Sequence, residues 1–124
     1  MRLPEQVADR SGRIIVNRMG NEIIVDGKVL YSQPMLVDFV AVLARSLGKT
    51  VPNSTLNEWR HYLRSLRRLE TLETNLGYDH RRKKRKATAS LHARMSTLRK
   101  ILRGTKANVE SVYGVGYKMT LEDL

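Results

Sequence analysis

The chain has no cysteine. That removes disulfides and thiolate zinc sites, and nothing points to an oxidising compartment. No apolar run approaches the ~18 residues of a membrane-spanning helix, and the opening "MRLPEQVADR" lacks the apolar stretch of a signal peptide. Catalytic signatures are also missing. The three histidines, His61, His80 and His92, are scattered, and Asp79-His80 sits beside a run of charge. The segment "YGVGY" lacks the strand-to-helix setting that a nucleotide-binding glycine loop requires. These absences predict a soluble cytoplasmic protein that is not an enzyme and uses no cofactor, metal or small-molecule substrate. At 124 residues it has the length of one domain.

Acidic residues are scarce, with 12 Asp/Glu against 23 Lys/Arg, and the imbalance is local. Between Arg60 and Lys106 there are 15 Lys/Arg and 3 Asp/Glu, a balance of +12, whereas the remainder holds 8 and 9, a balance of −1. A basic field this concentrated attracts a polyanion, and nucleic acid is the commonest. A charged face kept only for solubility is the plainer alternative. A membrane surface fits less well, because the run "RRKKRK" (Arg81, Arg82, Lys83, Lys84, Arg85, Lys86) carries no interleaved large apolar residues.

The hydrophobic pattern predicts α+β structure. "RIIVN" (13–17), "EIIVD" (22–26) and "KVLY" (28–31) are β-branched runs joined by turn residues, giving three short antiparallel strands with a tight turn at Asp26-Gly27. A first helix spans Pro34 to Leu47, with Leu36, Val40, Leu43 and Leu47 on one stripe. A second begins near Asn53–Thr55, where Thr55 and Glu58 have capping-box spacing, and buries Leu56, Trp59, Leu63 and Leu66; Gly77 is its expected end. Met35, Met95 and Trp59 read as core, and Tyr62 as partly so. A third helix, about 88–102, buries Leu91, Met95, Leu98 and Leu102. Its opposite face carries Ala89, Ala93, Ser96, Thr97 and Lys100, with Arg94 and Arg99 at the flanks. Small and hydrogen-bonding residues between basic edges suit a DNA major groove: alanine admits the backbone, Ser and Thr reach base edges, Arg and Lys hold phosphates.

In order, the elements and the stretches "VDGKVLYSQP", "LARSLGKTVP" and "LHARMSTLRKIL…VESVYGVGYKM" resemble the DNA-binding effector domains of OmpR/PhoB-type response regulators. The last stretch is the most specific, since the family's recognition helix usually reads like "VHISRLRKKL" and its wing like "VRGVGYRL". The resemblance implies a winged helix-turn-helix: a small N-terminal antiparallel sheet, three helices and a C-terminal β-hairpin wing. It also implies duplex binding, with the third helix in the major groove and the wing (109–119) against the minor groove. Carried over by position, the contact residues are His92, Arg94, Ser96, Thr97, Arg99 and Lys100 on the helix, and Ser111, Tyr113 and Lys118 on the wing; Ser90 and Ala93 on the helix and the phosphate contacts Arg81–Lys86 complete the expected DNA-binding set.

The departures from the family are informative. Residues 1–12 are expected as an N-terminal extension and 13–124 as the domain, so no phospho-accepting receiver domain is expected within this chain. Ser96 and Thr97 stand where the family often has arginine, which predicts a different target. Tyr113 replaces the usual wing arginine. The connection between helices two and three is long and basic, with an insertion at about 67–86. The function expected is sequence-specific transcription regulation on double-stranded DNA by a nucleoid-associated protein, with pairing of copies on repeated half-sites. Two alternatives remain: a low-specificity or architectural DNA-binding protein, and an adaptor that binds RNA polymerase through the long basic loop.

Overall fold

A computed structural model of the chain describes residues 3–74 and 90–123, with the side chains of 66–74 outside the description. Four antiparallel strands come first: β1 (Gln6–Ala8), β2 (Ile14–Asn17), β3 (Glu22–Val25) and β4 (Lys28–Tyr31), in that spatial order. The β3–β4 turn places Asp26 at φ 50° and Gly27 at φ 83°, the positive pair that a tight hairpin needs. Helix α1 (Pro34–Arg45), the short β5 (Val51–Pro52) and α2 (Asn53–Thr74) follow. Then come α3 (Leu91–Leu102) and a hairpin of β6 (Ala107–Val112) and β7 (Gly116–Leu121). In the second sheet β7 lies between β5 and β6. This is the expected α+β winged-helix arrangement.

Several boundaries differ from the sequence reading. The extension expected over residues 1–12 contains a strand, because Val7 pairs in register with Val16 and buries its side chain, as does Leu3. The sheet therefore has four strands, with Val7, Val16, Ile23 and Leu30 forming one row across it toward the core. Helix α2 begins at Asn53, so Thr55 falls inside its first turn instead of at its cap. It continues to Thr74, so residues 67–74, expected to open the insertion, are its last turns. The predicted end at Gly77 lies outside the described residues, as does the basic run Arg81–Lys86.

Helix α1 is the centre of the molecule. Its nine consecutive residues Leu36–Ala44 are all buried, which no amphipathic stripe explains; such a helix is covered on every side. The four-stranded sheet packs on one side of it, and α2, α3 and β7 lie around the rest. One of the nine is charged. Asp38 is fully buried, and its Oδ1 accepts a hydrogen bond at 2.8 Å from Nε of Arg18, itself 4% exposed. Arg18 sits in the β2–β3 turn, and its guanidinium also donates to the Leu3 carbonyl at 3.3 Å. The pair thus ties the sheet and the N-terminal segment to the helix.

A second ion cluster lies at the surface. Arg13 donates to both carboxylate oxygens of Asp26, at 2.7 and 2.9 Å, and to Asp123 at 2.7 Å, while Lys106 donates to Asp123 at 3.1 Å. These contacts join the first sheet to the end of the chain. The Arg13 and Lys106 hydrogen bonds hold the Asp123 carboxyl at about 2, and the Arg13 hydrogen bond lowers Asp26 as well.

Two outcomes are expected. Removing one member of a buried ion pair strands the other, so Asp38→Ala should cost about 3–5 kcal/mol, read from the urea midpoint. The double substitution Arg18→Met/Asp38→Leu should recover much of it; a double variant no better than the single would mean that the pair itself stabilises. For the surface cluster, depressed carboxylate values mean stability that is complete above the ordinary carboxylate range and lost as pH falls toward 2. Arg13→Gln should therefore flatten the fall in melting temperature between about pH 4 and pH 2, and an unchanged acid limb would refute the linkage.

Candidate nucleic-acid interface

Helix α3 starts at a defined cap. Ser90 is extended and its hydroxyl accepts a hydrogen bond from the Ala93 amide at 3.1 Å, satisfying one of the open N–H groups of the first turn. Ser90, expected as a DNA contact, is thus committed to the helix start. The predicted opening residues Thr88 and Ala89 lie outside the described residues. Leu91, Met95, Leu98 and Leu102 are buried as the spacing predicts. At about 100° per residue the outward centre of the helix is occupied by Ala93 and Lys100, both exposed, with Ser96 and Thr97 on either side.

The two flanks of α3 face different neighbours. On one flank stand His92 and Arg99, and both reach the hairpin. His92 Nδ1 lies 3.3 Å from the Tyr117 hydroxyl on β7, and Arg99 Nε donates to the Val109 carbonyl of β6 at 2.8 Å. Arg99 was expected to hold phosphate; part of its guanidinium instead fastens the helix to the wing. On the other flank stands Arg94, half buried and close to Arg60 and Arg64 of α2. Burial, then the like charges of Arg60 and Arg64, lower the Arg94 guanidinium below its ordinary value.

Thr97 donates its hydroxyl hydrogen to the Ala93 carbonyl at 3.0 Å, one turn back. What it presents outward is an acceptor lone pair and a methyl group.

The hairpin also departs from expectation in detail. The turn residues are Tyr113, Gly114 and Val115; Gly116, predicted as part of the turn, is the first residue of β7. It pairs with Val112 on one side and Pro52 on the other. A Cβ at Gly116 would lie 1.9 Å from the Val51 carbonyl oxygen, so only glycine lets β5 approach β7. The Asn53 amide donates to the Val115 carbonyl at 2.8 Å and closes the same junction. The wing is therefore pinned to the start of α2 just beneath its tip.

Tyr113 is fully exposed at that tip and Val115 is half exposed. Ser111 is exposed opposite Tyr117 in register. Lys118 is paired across the strands with Glu110, at 3.6 Å, on the face away from the buried Val109, Tyr117 and Met119. Lys118, expected as a wing contact, thus has a carboxylate partner on the neighbouring strand. Sequence reasoning did not single out Tyr117, which is buried and meets His92, nor Arg60 and Arg64, whose spacing off the buried stripe of α2 was the available signal.

Among the described residues no three of His, Cys, Asp and Glu come together as a metal site, and no helix is long and apolar enough to cross a membrane. No protein-family model and no curated protein sequence matches the chain. The chain is similar in structure to the C-terminal effector domain of BfmR from Acinetobacter baumannii, solved in solution by NMR. The identity is 15% and the TM-score 0.48, over 97% of this chain and 94% of that one.

Gly116→Ala tests how the wing is held. The added methyl must push β5 from β7, and overpacking of this kind costs about 1–3 kcal/mol. Amide exchange at Val51 and in the Val112–Tyr117 segment should accelerate, while the amides of β2 and β3 keep their protection. Uniform acceleration would show instead that the junction supports the whole fold.

Proposed function

We propose that this protein is a sequence-specific, double-stranded DNA-binding transcription regulator that lays α3 in the major groove and the β6–β7 hairpin against the minor groove. The observation that carries the reading is the outward face of α3. It presents Ala93, Ser96, Thr97 and Lys100, it is bounded by the hairpin on one side and by the arginines of α2 on the other, and it lies within the strongly basic half of the chain. An exposed helix face of this kind can enter a major groove about 12 Å wide.

The roles divide by chemistry. Ala93 at the centre admits the helix backbone close to the bases. Thr97, with its hydroxyl hydrogen committed, accepts from an adenine or cytosine amino group or packs its methyl on thymine. Ser96 reaches the neighbouring edge. Lys100 contacts phosphate or a guanine edge, and the free remainder of the Arg99 guanidinium adds to it. Tyr113 meets the backbone of the minor groove with its ring and hydroxyl, since its charge-free tip suits sugar and phosphate contact better than insertion as a cation. The low-specificity alternative draws on the concentrated charge, which exceeds what one recognition helix needs; the adaptor alternative rests on a segment most of which lies outside the described residues.

The test is selection of sites from a random duplex pool, followed by binding of selected and random duplexes over a salt series. A specific regulator should prefer its selected site by about 10³-fold or more, and the spacing of half-sites reports pairing of copies. Thr97→Ala should cost about 1–3 kcal/mol on the selected duplex and little on random DNA, whereas Lys100→Ala should weaken both. Equal affinity for every duplex would replace this reading by the low-specificity one.

A further inference from the structure

The two sheets have four outer edges among the described residues, at β1, β4, β5 and β6, and three of them are blocked. β1 is three residues long and follows Pro4 and Glu5. β5 is two residues long and ends in Pro52. Along β6, Arg99 donates to the Val109 carbonyl and the Thr105 hydroxyl accepts from the Ala107 amide. Short strands, proline and covering side chains are ordinary ways of blocking an edge. β4 is the exception. Only β3 pairs with it, and its one charged residue, Lys28, stands at its start beside the turn.

The pairing of β4 fixes which of its backbone groups are free. The two-residue turn at Asp26-Gly27 makes Val25 and Lys28 a hydrogen-bonded pair. At the other end of the strand the Ser32 amide donates to the Asn21 carbonyl. Bonded pairs alternate along an antiparallel ladder, so Lys28, Leu30 and Ser32 bond toward β3. The N–H and C=O groups of Val29 and Tyr31 therefore point out of the sheet, and no backbone group among the described residues answers them. Their side chains are 43% and 71% exposed. Both lie on the outer face of the sheet, where the cross-strand row Ala8, Ile15, Ile24 and Val29 is apolar throughout.

We propose that β4 is a self-pairing edge, and that two copies of this chain join there as antiparallel strands about a two-fold axis. Three registers are open to the outward groups: Val29 on Val29, Tyr31 on Tyr31, or Val29 on Tyr31. The first sends Tyr31 against Gly27 of the turn, and the second sends Val29 against Gln33 at the start of α1. Only the third engages both residues of both copies within the strands. It sets an aromatic against a β-branched side chain twice on the outer face, a favourable cross-strand pair. On the core face Leu30, only partly buried in one chain, meets Leu30 of the second copy. Lys28 falls opposite Ser32, so no like charges meet. The fit is to the strand itself, as a two-fold contact requires. Net charge agrees: each copy carries +11, concentrated between Arg60 and Lys106, and β4 lies outside that segment, where two copies repel least. Four residues a side fall short of a standard interface, so the pairing is weak and grows with concentration. It does not depend on the DNA-binding reading.

The experiment uses the full chain in sedimentation velocity over a concentration series, with crosslinking to read the register. The wild type should sediment as a monomer when dilute and shift toward a dimer as its concentration rises to millimolar. Val29→Lys/Tyr31→Lys charges the edge and spares the bonds to β3; it should melt cooperatively and stay monomeric throughout. The chain has no cysteine, so a single introduced one reports its own neighbour. Leu30→Cys should link to itself on mild oxidation, because non-bonded antiparallel pairs hold their Cα atoms about 4.5 Å apart. Val29→Cys and Tyr31→Cys should each link poorly alone and readily when mixed. Ala8→Cys, on the outer face of β1, gives the rate of chance collision. A wild type that is monomeric at every concentration overturns the proposal and leaves the edge to a strand from another protein. Self-association that survives the two lysines overturns it as well, and so does a Leu30→Cys chain that links no faster than Ala8→Cys.

Discussion

The rest of this structure depends on the burial of α1 on every side. A helix with nine buried residues in succession has no solvent face, so every other element must supply part of its cover. The N-terminal sheet covers one side; α2, α3 and β7 cover the others. Small residues such as Ala41 and Ala44 let the neighbours come close, and Phe39 and Leu43 fill the space between them. The single carboxylate in this apolar surround, Asp38, has to be satisfied internally. Arg18 does so from the β2–β3 turn, so a local electrostatic demand ties the sheet to the helix. The orientation of α3 follows from the same constraint, since its buried stripe is matched to α1 and to β6.

What the sequence revealed and what it concealed divide along physical lines. Elements set by local periodicity or by one turn were readable: the stripe Leu91–Met95–Leu98–Leu102, the Asp26-Gly27 turn and the closing hairpin. The outward face of α3 was readable for the same reason, because helix geometry fixes the angle of each residue once the buried stripe is known. Features set by distant partners were hidden. The strand at Gln6–Ala8 exists because Val7 meets Val16, and three residues carry no periodic signal. The complete burial of α1 looked like one stripe because periodicity records contrast, and a helix covered all round has little. Gly116 looked like a turn residue; its requirement for glycine comes from the Val51 carbonyl on another strand.

The site residues followed the same rule. Residue type and position on the helix were correct guides to what lies on the surface, but not to what each side chain is free to do. Arg99 gives an N–H to Val109, Thr97 gives its hydroxyl hydrogen to Ala93, Ser90 caps the helix, and Lys118 is paired with Glu110. Each is a surface residue with part of its bonding capacity already used. The register of β6 on β7 decides the last of these, and register cannot be read from either strand alone.

These commitments change how the interface should be understood. The wing is fixed in place by Gly116, by the Asn53 amide and by Arg99, and its Lys118 is paired with Glu110. It is thus suited to set position: a rigid, nearly neutral wall ending in an exposed tyrosine. On the other flank of α3 the half-buried Arg94 lies near Arg60 and Arg64 of α2. Between them α3 offers small and polar groups whose hydrogen-bonding directions are partly preset, Thr97 above all. On the DNA-binding reading proposed above, affinity, placement and sequence reading would fall on three neighbouring elements. A change in one should then leave the other two largely intact, because the buried helix beneath them holds all three in fixed relation.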